Sequence, residues 1–294
     1  MRYDVAVIGC GIVGAAAAYE LSRYNCKVLV LEANNDVANG TTKANSAILH
    51  AGYDPAPHTL MAETNVRGVK LAKELCEKLD VEREEIGSLV LAFGKEDERH
   101  LDMLYRQGLE NGVPGVRLLT ADEVRAMEPN VSEQVTAALY APTAAIVSPW
   151  EFALALAETA VVNGCDLQLS APVTGIDRLE EGYLLHTPKG DFEARYVVNA
   201  AGLHCDKVHE MAGGTGFTVH GVRGEYYIMD KSQGHVVNHV IFQCPNEKGK
   251  GVLVSPTVHG NLIVGPSADA VDDVESVANT AFGLEEVRTA AARS

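Results

Sequence analysis

Cationic residues are scarce in this chain. Its 294 residues include 24 Lys and Arg against 40 Asp and Glu, a formal net charge of -16. The few cations are scattered and form no basic stripe. Such a surface repels phosphate backbones, so no nucleic-acid partner is expected. An anionic small substrate would need a local cationic pocket. Cysteine is sparse as well: six residues, at 10, 26, 76, 165, 205 and 244, with no CxxC pair. That spacing excludes an iron–sulfur motif and reads as a reduced, cytoplasmic set of small hydrophobes rather than a disulfide framework. Nowhere do about 18 apolar residues follow one another, so no transmembrane segment is expected. Internal repeats and low-complexity linkers are missing too. With 47% hydrophobic residues, the chain can bury one large core or two smaller ones.

Behind Arg2, the run VAVIGCGIVGAAAA (5–18) has the look of a secretory leader, but the charged stretch before it is very short and contains Asp4. Its glycines have a better explanation. Residues 5–8 form a continuous apolar run, as a buried parallel strand requires. Gly9, Gly11 and Gly14 then spell G-x-G-x-x-G before an alanine-rich helix. The first glycine permits a tight turn, the second lets backbone approach a pyrophosphate, and the third lets helix pack on strand. A helix N-terminus offers N–H groups and a positive dipole end to phosphates. A second strand, 27–31, ends in Glu32, placed to accept from ribose hydroxyls about 20 residues on. The fingerprint does not separate NAD from FAD. A nicotinamide domain continues at once into a further helix and strand. Here 33–44 is a polar loop, followed by a helix expected over 57–79 and, much later, the strand ARYVVNAAG (194–202).

KANSAILHAGYD (43–54) places a lone His50 between an apolar run and Gly52. Two readings stand: a core histidine with a satisfied hydrogen bond, or a catalytic base at a cofactor site. His204, Cys205 and His209 suggest a metal at first sight. Only Cys205 and His209 share a helix face and no fourth ligand is near, so no metal site is expected. Glu82, Glu84 and Glu85 read as solvated surface, and His259 as a turn residue.

These stretches together, with AIVSPWEFALALAETA, VRGEYYIMD and PTVHGNLIVGPSADAVDD, resemble the D-amino-acid-oxidase-like superfamily of FAD-dependent oxidoreductases. Within it, the chain is similar to the glycerol-3-phosphate dehydrogenase/oxidase and L-2-hydroxyglutarate dehydrogenase group. The resemblance covers nearly the whole chain and implies an α/β fold. An FAD-binding Rossmann-like domain (1–80 and 148–214) would interleave with a smaller α+β substrate domain on a mostly antiparallel sheet (81–147 and 215–268). Residues 269–294 would be a truncated helical return segment. The family continues past this point to a glycine-rich turn over the flavin, so the chain is expected to be partial.

By that resemblance Gly9, Gly11, Gly14 and Glu32 would hold the ADP half of FAD. Thr41, Thr42, Asn45 and Ser46 would line the path from pyrophosphate to flavin. Val173, in a strand around APVTGI, would meet the adenine side, and Ala200, Ala201 and Gly202 would close over the cofactor. His50 would face the flavin as the base that takes a hydroxyl proton while flavin N5 takes the hydride. Arg223 would grip a phosphate or carboxylate, with Tyr226 or Tyr227 as hydroxyl partner; a strand-edge arginine is the alternative. The expected reaction is oxidation of a secondary alcohol on a small anionic hydroxy substrate. Glycerol 3-phosphate is the first expectation and L-2-hydroxyglutarate the second. Electrons would pass to a quinone, a partner protein or oxygen. Peripheral contact with the inner membrane face stays open, as do an amine-oxidising flavoenzyme, a non-catalytic FAD-binding subunit or fragment, and a nicotinamide enzyme.

Overall fold

The computed structural model describes residues 2–245 and 251–294. The chain divides into two compact units. Met1–Asn45, Pro149–Gly221 and Asp272–Val274 form the first; Ser46–Ser148, Val222–Val271 and Glu275–Ser294 form the second. The architecture is an α/β unit interleaved in sequence with an α+β unit.

The first unit begins with β1 (Arg2–Ile8), α1 (Ile12–Leu21) and β2 (Val28–Leu31). All of β2 is buried, as a strand covered on both faces must be. Among the described residues β1 lies inside a six-stranded sheet. On one side it pairs in parallel with β2, and β2 with Asp166–Gln168. On the other it pairs in parallel with Gly190–Asn199, which continues as an antiparallel meander through Gly182–Thr187 and Gly175–Leu179. Helix Pro149–Val162 packs against α1. Small residues are prominent among those buried: Gly14, Ala15 and Ala18 beside Tyr19 on one helix, Ala153, Ala157 and Ala160 beside Phe152 and Leu156 on the other. Short side chains let helix axes approach closely. Residues 171–174, expected as strand around Val173, precede the strand rather than join it. There Ser170 and Ala171 donate to the carbonyls of Asn34 (2.7 Å) and Glu32 (2.9 Å).

The second unit is built on a sheet of seven strands among the described residues. Their order is Tyr227–Met229, Leu262–Gly265, Leu253–Pro256, Val240–Gln243, Ser88–Ala92, Ala137–Ala141, Arg117–Thr120. Neighbours are antiparallel except Val240–Gln243 beside Ser88–Ala92, which run parallel. Helix Lys95–Glu110 lays Leu101 and Leu104 on this sheet, against Val90 and Leu139. A short sheet joins Ile48–Leu49, Ala145–Val147 and Arg83–Glu84. Glu82, Glu84 and Glu85 are exposed.

Residues 46–80, expected with the nucleotide part, group with the second unit. The reason is pairing and packing: Ile48 and Leu49 pair with Ile146 and Ala145, and Val66 packs on the Tyr53–Leu101–Leu139 cluster. The second unit therefore holds more of the chain than the first. The helix expected over 57–79 starts later, as Leu60–Leu79, because Thr59 caps it by accepting from Ala62 N–H at 3.2 Å. Between 216 and 230, strand pairing is confined to Gly221–Arg223 and Tyr227–Met229. Of the expected return segment, helix Ala281–Ala291 groups with the second unit and Asp272–Val274 with the first.

Candidate active site

In the first unit, three pieces of backbone converge after β1. Gly9 has φ +95°, and a Cβ there would lie 2.5 Å from the carbonyl oxygen of Ala200. A Cβ on Gly14 would lie 1.9 Å from the oxygen of Gly9. Both positions thus exclude any side chain, one by turn geometry and the other by helix-on-strand packing. Ala200 N–H donates to Ile8 O at 2.9 Å, which draws 200–202 alongside the turn. The first backbone hydrogen bond of α1 runs from Ala15 N–H to Gly11 O at 2.8 Å. The N–H groups of Ile12, Val13 and Gly14 come before it and have no intrahelical acceptor. No acidic residue stands in the first turn to compete for them.

Thr42 takes one of these donors: its hydroxyl accepts from Ile12 N–H at 3.0 Å. Gly11, the N-cap residue, has no side chain to do so, and a threonine 30 residues away does. Thr41–Lys43 form a single 3-10 turn, tied by Asn45, whose amide donates to Thr41 O (3.1 Å) and Thr42 O (2.8 Å). Glu32 is 7% exposed. One oxygen accepts from Cys10 N–H at 2.7 Å; the other accepts from the backbone and amide of Asn34 at 2.9 and 3.1 Å. A carboxylate has about four acceptor positions, so the oxygen facing Cys10 keeps one beyond that bond. Burial, with Glu32 adding to it, pushes the Cys10 thiol up to about 12, which keeps it protonated and inert. Val173 is partly buried against Ile8, Leu31 and Ala171.

In the second unit, His50 sits on a strap fixed at both ends. Val147 N–H donates to Ala47 O at 3.1 Å, just before the Ile48–Leu49 pairing. Beyond His50, Asn111 donates to Gly52 O (2.9 Å) and Pro55 O (2.8 Å). Gly52 has φ +104°, and a Cβ there would meet Val66 Cγ2 at 2.5 Å. The glycine is thus required by helix Leu60–Leu79. The half-buried imidazole stacks on Phe242, with centroids 5.6 Å apart and planes 26° apart.

Ser46 and Tyr226, expected at the cofactor and the substrate respectively, share a hydroxyl–hydroxyl hydrogen bond of 2.8 Å. Burial raises the Tyr226 phenol and the Ser46 bond offsets part of that. Tyr227 pairs with Val264 instead. Arg223 has a partner that the sequence did not announce: its Nη2 lies 3.2 Å from Glu225, which is 1% exposed on its side chain. The same carboxylate accepts from Thr280 N–H (2.6 Å) and the Thr280 hydroxyl (2.8 Å), at the N-terminus of helix Ala281–Ala291. Arg223 Nε is buried with no hydrogen-bond partner. Asn34, Asn111 and Phe242 lie in none of the quoted motifs, and Glu225, inside VRGEYYIMD, has no spacing signal that marks it as the partner of Arg223.

His209 turns its Nε2 to Thr215 O at 3.2 Å and its ring to Phe217. Among the described residues no group of three or more His, Cys, Asp or Glu could hold a metal ion. His259 lies in the turn where Gly260 N–H donates to Thr257 O. All six cysteines are free thiols. No helix among the described residues is long and apolar enough to cross a membrane.

A glycine turn that leaves helix N–H groups to a diphosphate, with a carboxylate at the end of the next strand, defines a dinucleotide-binding class. The family model described as FAD dependent oxidoreductase (DAO) matches residues 4–294, and the chain belongs to that family. It is 47% identical over 292 residues to a glycerol 3-phosphate dehydrogenase of Caloramator mitchellensis, across 99% of this chain and 61% of that protein. It is 32% identical over 274 residues to an L-2-hydroxyglutarate dehydrogenase of Indibacter alkaliphilus, across 91% and 68%. Among solved structures, dithionite-reduced L-alpha-glycerophosphate oxidase from Mycoplasma pneumoniae with FAD bound superposes at a TM-score of 0.92 with 30% identity, over 100% of this chain and 78% of that one. The chain thus spans about three fifths of the length of the Caloramator protein. The residues around α1 fit FAD: the Gly9–Ala200 approach leaves no room for side chains, and Val13 and Gly14 keep donors for a diphosphate.

Proposed function

We propose that this chain binds FAD and oxidises the secondary alcohol of glycerol 3-phosphate. The observation that carries the substrate is the 47% identity to a glycerol 3-phosphate dehydrogenase across 99% of the chain. The open helix N-terminus, with Glu32 beside it, carries the cofactor. FAD, when bound, would supply the hydride acceptor, with a quinone, a partner protein or oxygen as the final electron acceptor. Val13 and Gly14 N–H groups hold the diphosphate. Gly9, Gly11 and Ala200–Gly202 keep backbone close to it, with Thr41, Thr42 and Asn45 along the adjoining loop. Glu32 accepts from the ribose, and Val173 borders the adenosine end.

His50 accepts the hydroxyl proton at a ring nitrogen as the carbon gives up its hydride. Arg223 and Tyr226, with Ser46 bonded to the tyrosine, hold the anionic end. Arg223 keeps Nε and Nη1 donors beyond the one aimed at Glu225. An L-2-hydroxyglutarate substrate is the second reading, favoured by the 32% identity to such a dehydrogenase. The test is an anaerobic absorbance titration of the FAD-loaded chain. Glycerol 3-phosphate should bleach the flavin band, and His50→Asn should keep the band and lose the bleaching. A band bleached by L-2-hydroxyglutarate alone selects the second reading. Undiminished bleaching in His50→Asn removes the histidine from the chemistry.

A further inference from the structure

Glu225, 1% exposed on its side chain, is pinned at both backbone and carboxylate. The Ser267 hydroxyl accepts from Glu225 N–H at 3.2 Å, and Ser267 N–H donates to Glu225 O at 3.1 Å. A Cβ on Gly224 would lie 2.7 Å from Pro266 Cβ, so the two segments are in contact there. One carboxylate oxygen accepts from Thr280 N–H at 2.6 Å, and the other, Oε1, from the Thr280 hydroxyl at 2.8 Å. Gly283, in the first turn of helix Ala281–Ala291, closes over the carboxylate: a Cβ there would lie 2.6 Å from Oε1. The helix is anchored in turn. Val287 is fully buried, and at the far end Gln243 donates to Ala290 O and Ser294 Oγ, both at 2.7 Å. Gln243 stands on the sheet strand Val240–Gln243, so Glu225 is tied through the helix to the sheet.

Arg223 is placed differently. It ends strand Gly221–Arg223, and its side chain is 22% exposed. Its Nη2 lies 3.2 Å from Glu225 Oε1, the oxygen that the Thr280 hydroxyl also reaches. Its Nε is buried with no hydrogen-bond partner. A buried donor without an acceptor is costly, and its persistence calls for a reason. Glu225 balances the charge of Arg223 without using up its five N–H donors. The acid is fixed from elsewhere, and the arginine leans on the acid.

We propose that Glu225 is a positioning residue: anchored by Thr280, it holds one nitrogen of the Arg223 guanidinium and so directs the remaining donors toward the anionic end of the substrate. The proposal rests on the reading of Arg223 as the group that grips that end. The guanidinium is a rigid plane on a flexible stem, so restraining one nitrogen restricts where the others point. Restraint in advance lowers the ordering cost of binding. The acid also reduces the positive potential around Arg223, which leaves the grip dependent on direction more than on bare charge. The anionic end does not react, so a loosened arginine should weaken ground state and transition state alike. The loss then appears in KM rather than in kcat.

The experiment displaces Glu225 while both ionised groups stay in place. Gly283→Ala sets a methyl 2.6 Å from Oε1, in a helix where alanine is favoured over glycine. Thr280→Val removes the hydroxyl that holds the acid, and Thr280→Ser keeps it. These chains and Arg223→Lys are compared with the wild type, all loaded with FAD. Gly283→Ala and Thr280→Val should each raise KM for glycerol 3-phosphate roughly 10-fold, with kcat within about twofold. The Kd for inorganic phosphate, measured by calorimetry on the same chains, should rise in parallel. Flavin content should match the wild type, because the glycine turn and Glu32 belong to the first unit. Thr280→Ser should return KM to the wild-type value. If the wild type is bleached by L-2-hydroxyglutarate alone, KM for that substrate is read instead and decides in the same way. KM raised by Arg223→Lys but unaltered by Gly283→Ala and Thr280→Val would overturn the proposal and leave the reading of Arg223 standing, even where those two variants melt at lower temperature. A fall in kcat at constant KM would overturn it as well. KM unaltered in Arg223→Lys would overturn the reading of Arg223 and the proposal together.

Discussion

The hydroxyl of Thr42 accepts a hydrogen bond from the backbone N–H of Ile12 at 3.0 Å, across 30 residues of chain. Helix α1 thus borrows its cap from the loop that follows β2. The cap satisfies one first-turn donor, and the next two, on Val13 and Gly14, precede the first intrahelical bond of α1. Thr42→Val keeps the shape and deletes the acceptor. It should lower stability by about 1 kcal/mol, the usual cost of losing a cap, and weaken FAD retention. Thr42→Ser should restore both. Thermal denaturation with flavin content read alongside checks this, and a Thr42→Val variant as stable as the parent would show the bond to be idle.

Gly14→Ala places a methyl 1.9 Å from the carbonyl oxygen of Gly9. The listless option of shifting a flexible side chain does not exist there, because the obstacle is backbone. Overpacking of this kind costs about 1–3 kcal/mol. The variant should unfold at lower urea and purify with little flavin. Flavin content equal to the parent would mean that α1 can slide off β1 without harm to the cradle.

Glu32→Gln retains size and loses charge. Its oxygens accept from Cys10 N–H and from Asn34, and hydrogen bonds to a charged partner contribute about 1.5–3 kcal/mol. The glycine turn should loosen and the Kd for FAD should rise by about tenfold or more. Fluorescence titration of the apoprotein measures it, and an unchanged Kd would restrict Glu32 to a structural role.

Arg223→Ala is a poor probe of the substrate anion, because Glu225 would remain buried beside Thr280 without its cation. Deleting one partner of a buried pair costs about 3–5 kcal/mol. Arg223→Lys is the better variant. It should stay folded and raise KM for glycerol 3-phosphate while kcat changes little, since Lys keeps the charge but not the planar fork. An unaltered KM would confine Arg223 to holding Glu225.

His186 stands between Asp177 and Asp191, each 2.9 Å from a ring nitrogen, and these bonds raise its pKa, Asp177 first. A raised pKa in the folded state means that the folded form binds the proton more tightly than the unfolded one. The contribution to stability is therefore complete below the unfolded value near ~6.5 and is lost as pH rises through the folded pKa. Denaturation midpoints of wild type and His186→Asn should differ most at acidic pH and converge above neutrality. A gap that does not change with pH would refute the linkage.

Much of the nucleotide cradle was legible in the chain because its physics is local. Gly9, Gly11 and Gly14 lie within one turn and one helix start, and Glu32 closes the next strand, so spacing alone carries the geometry. Unit boundaries were harder. Residues 46–80 follow the cradle in sequence, but their partners, Ile146 and the Tyr53–Leu101 cluster, come from elsewhere in the second unit.

The sequence by itself determined a dinucleotide cradle and singled out His50, since glycine spacing, an acid after a strand and a lone histidine in a distinctive run are short-range signals. Tertiary structure alone decided what those groups touch. Phe242 reaches His50, Glu225 draws Arg223 toward Thr280, and Ser46 meets Tyr226 180 residues on. Such pairs follow from strand register and the packing of helices on sheets, which depend on the whole chain at once and leave no pattern in any one stretch of it.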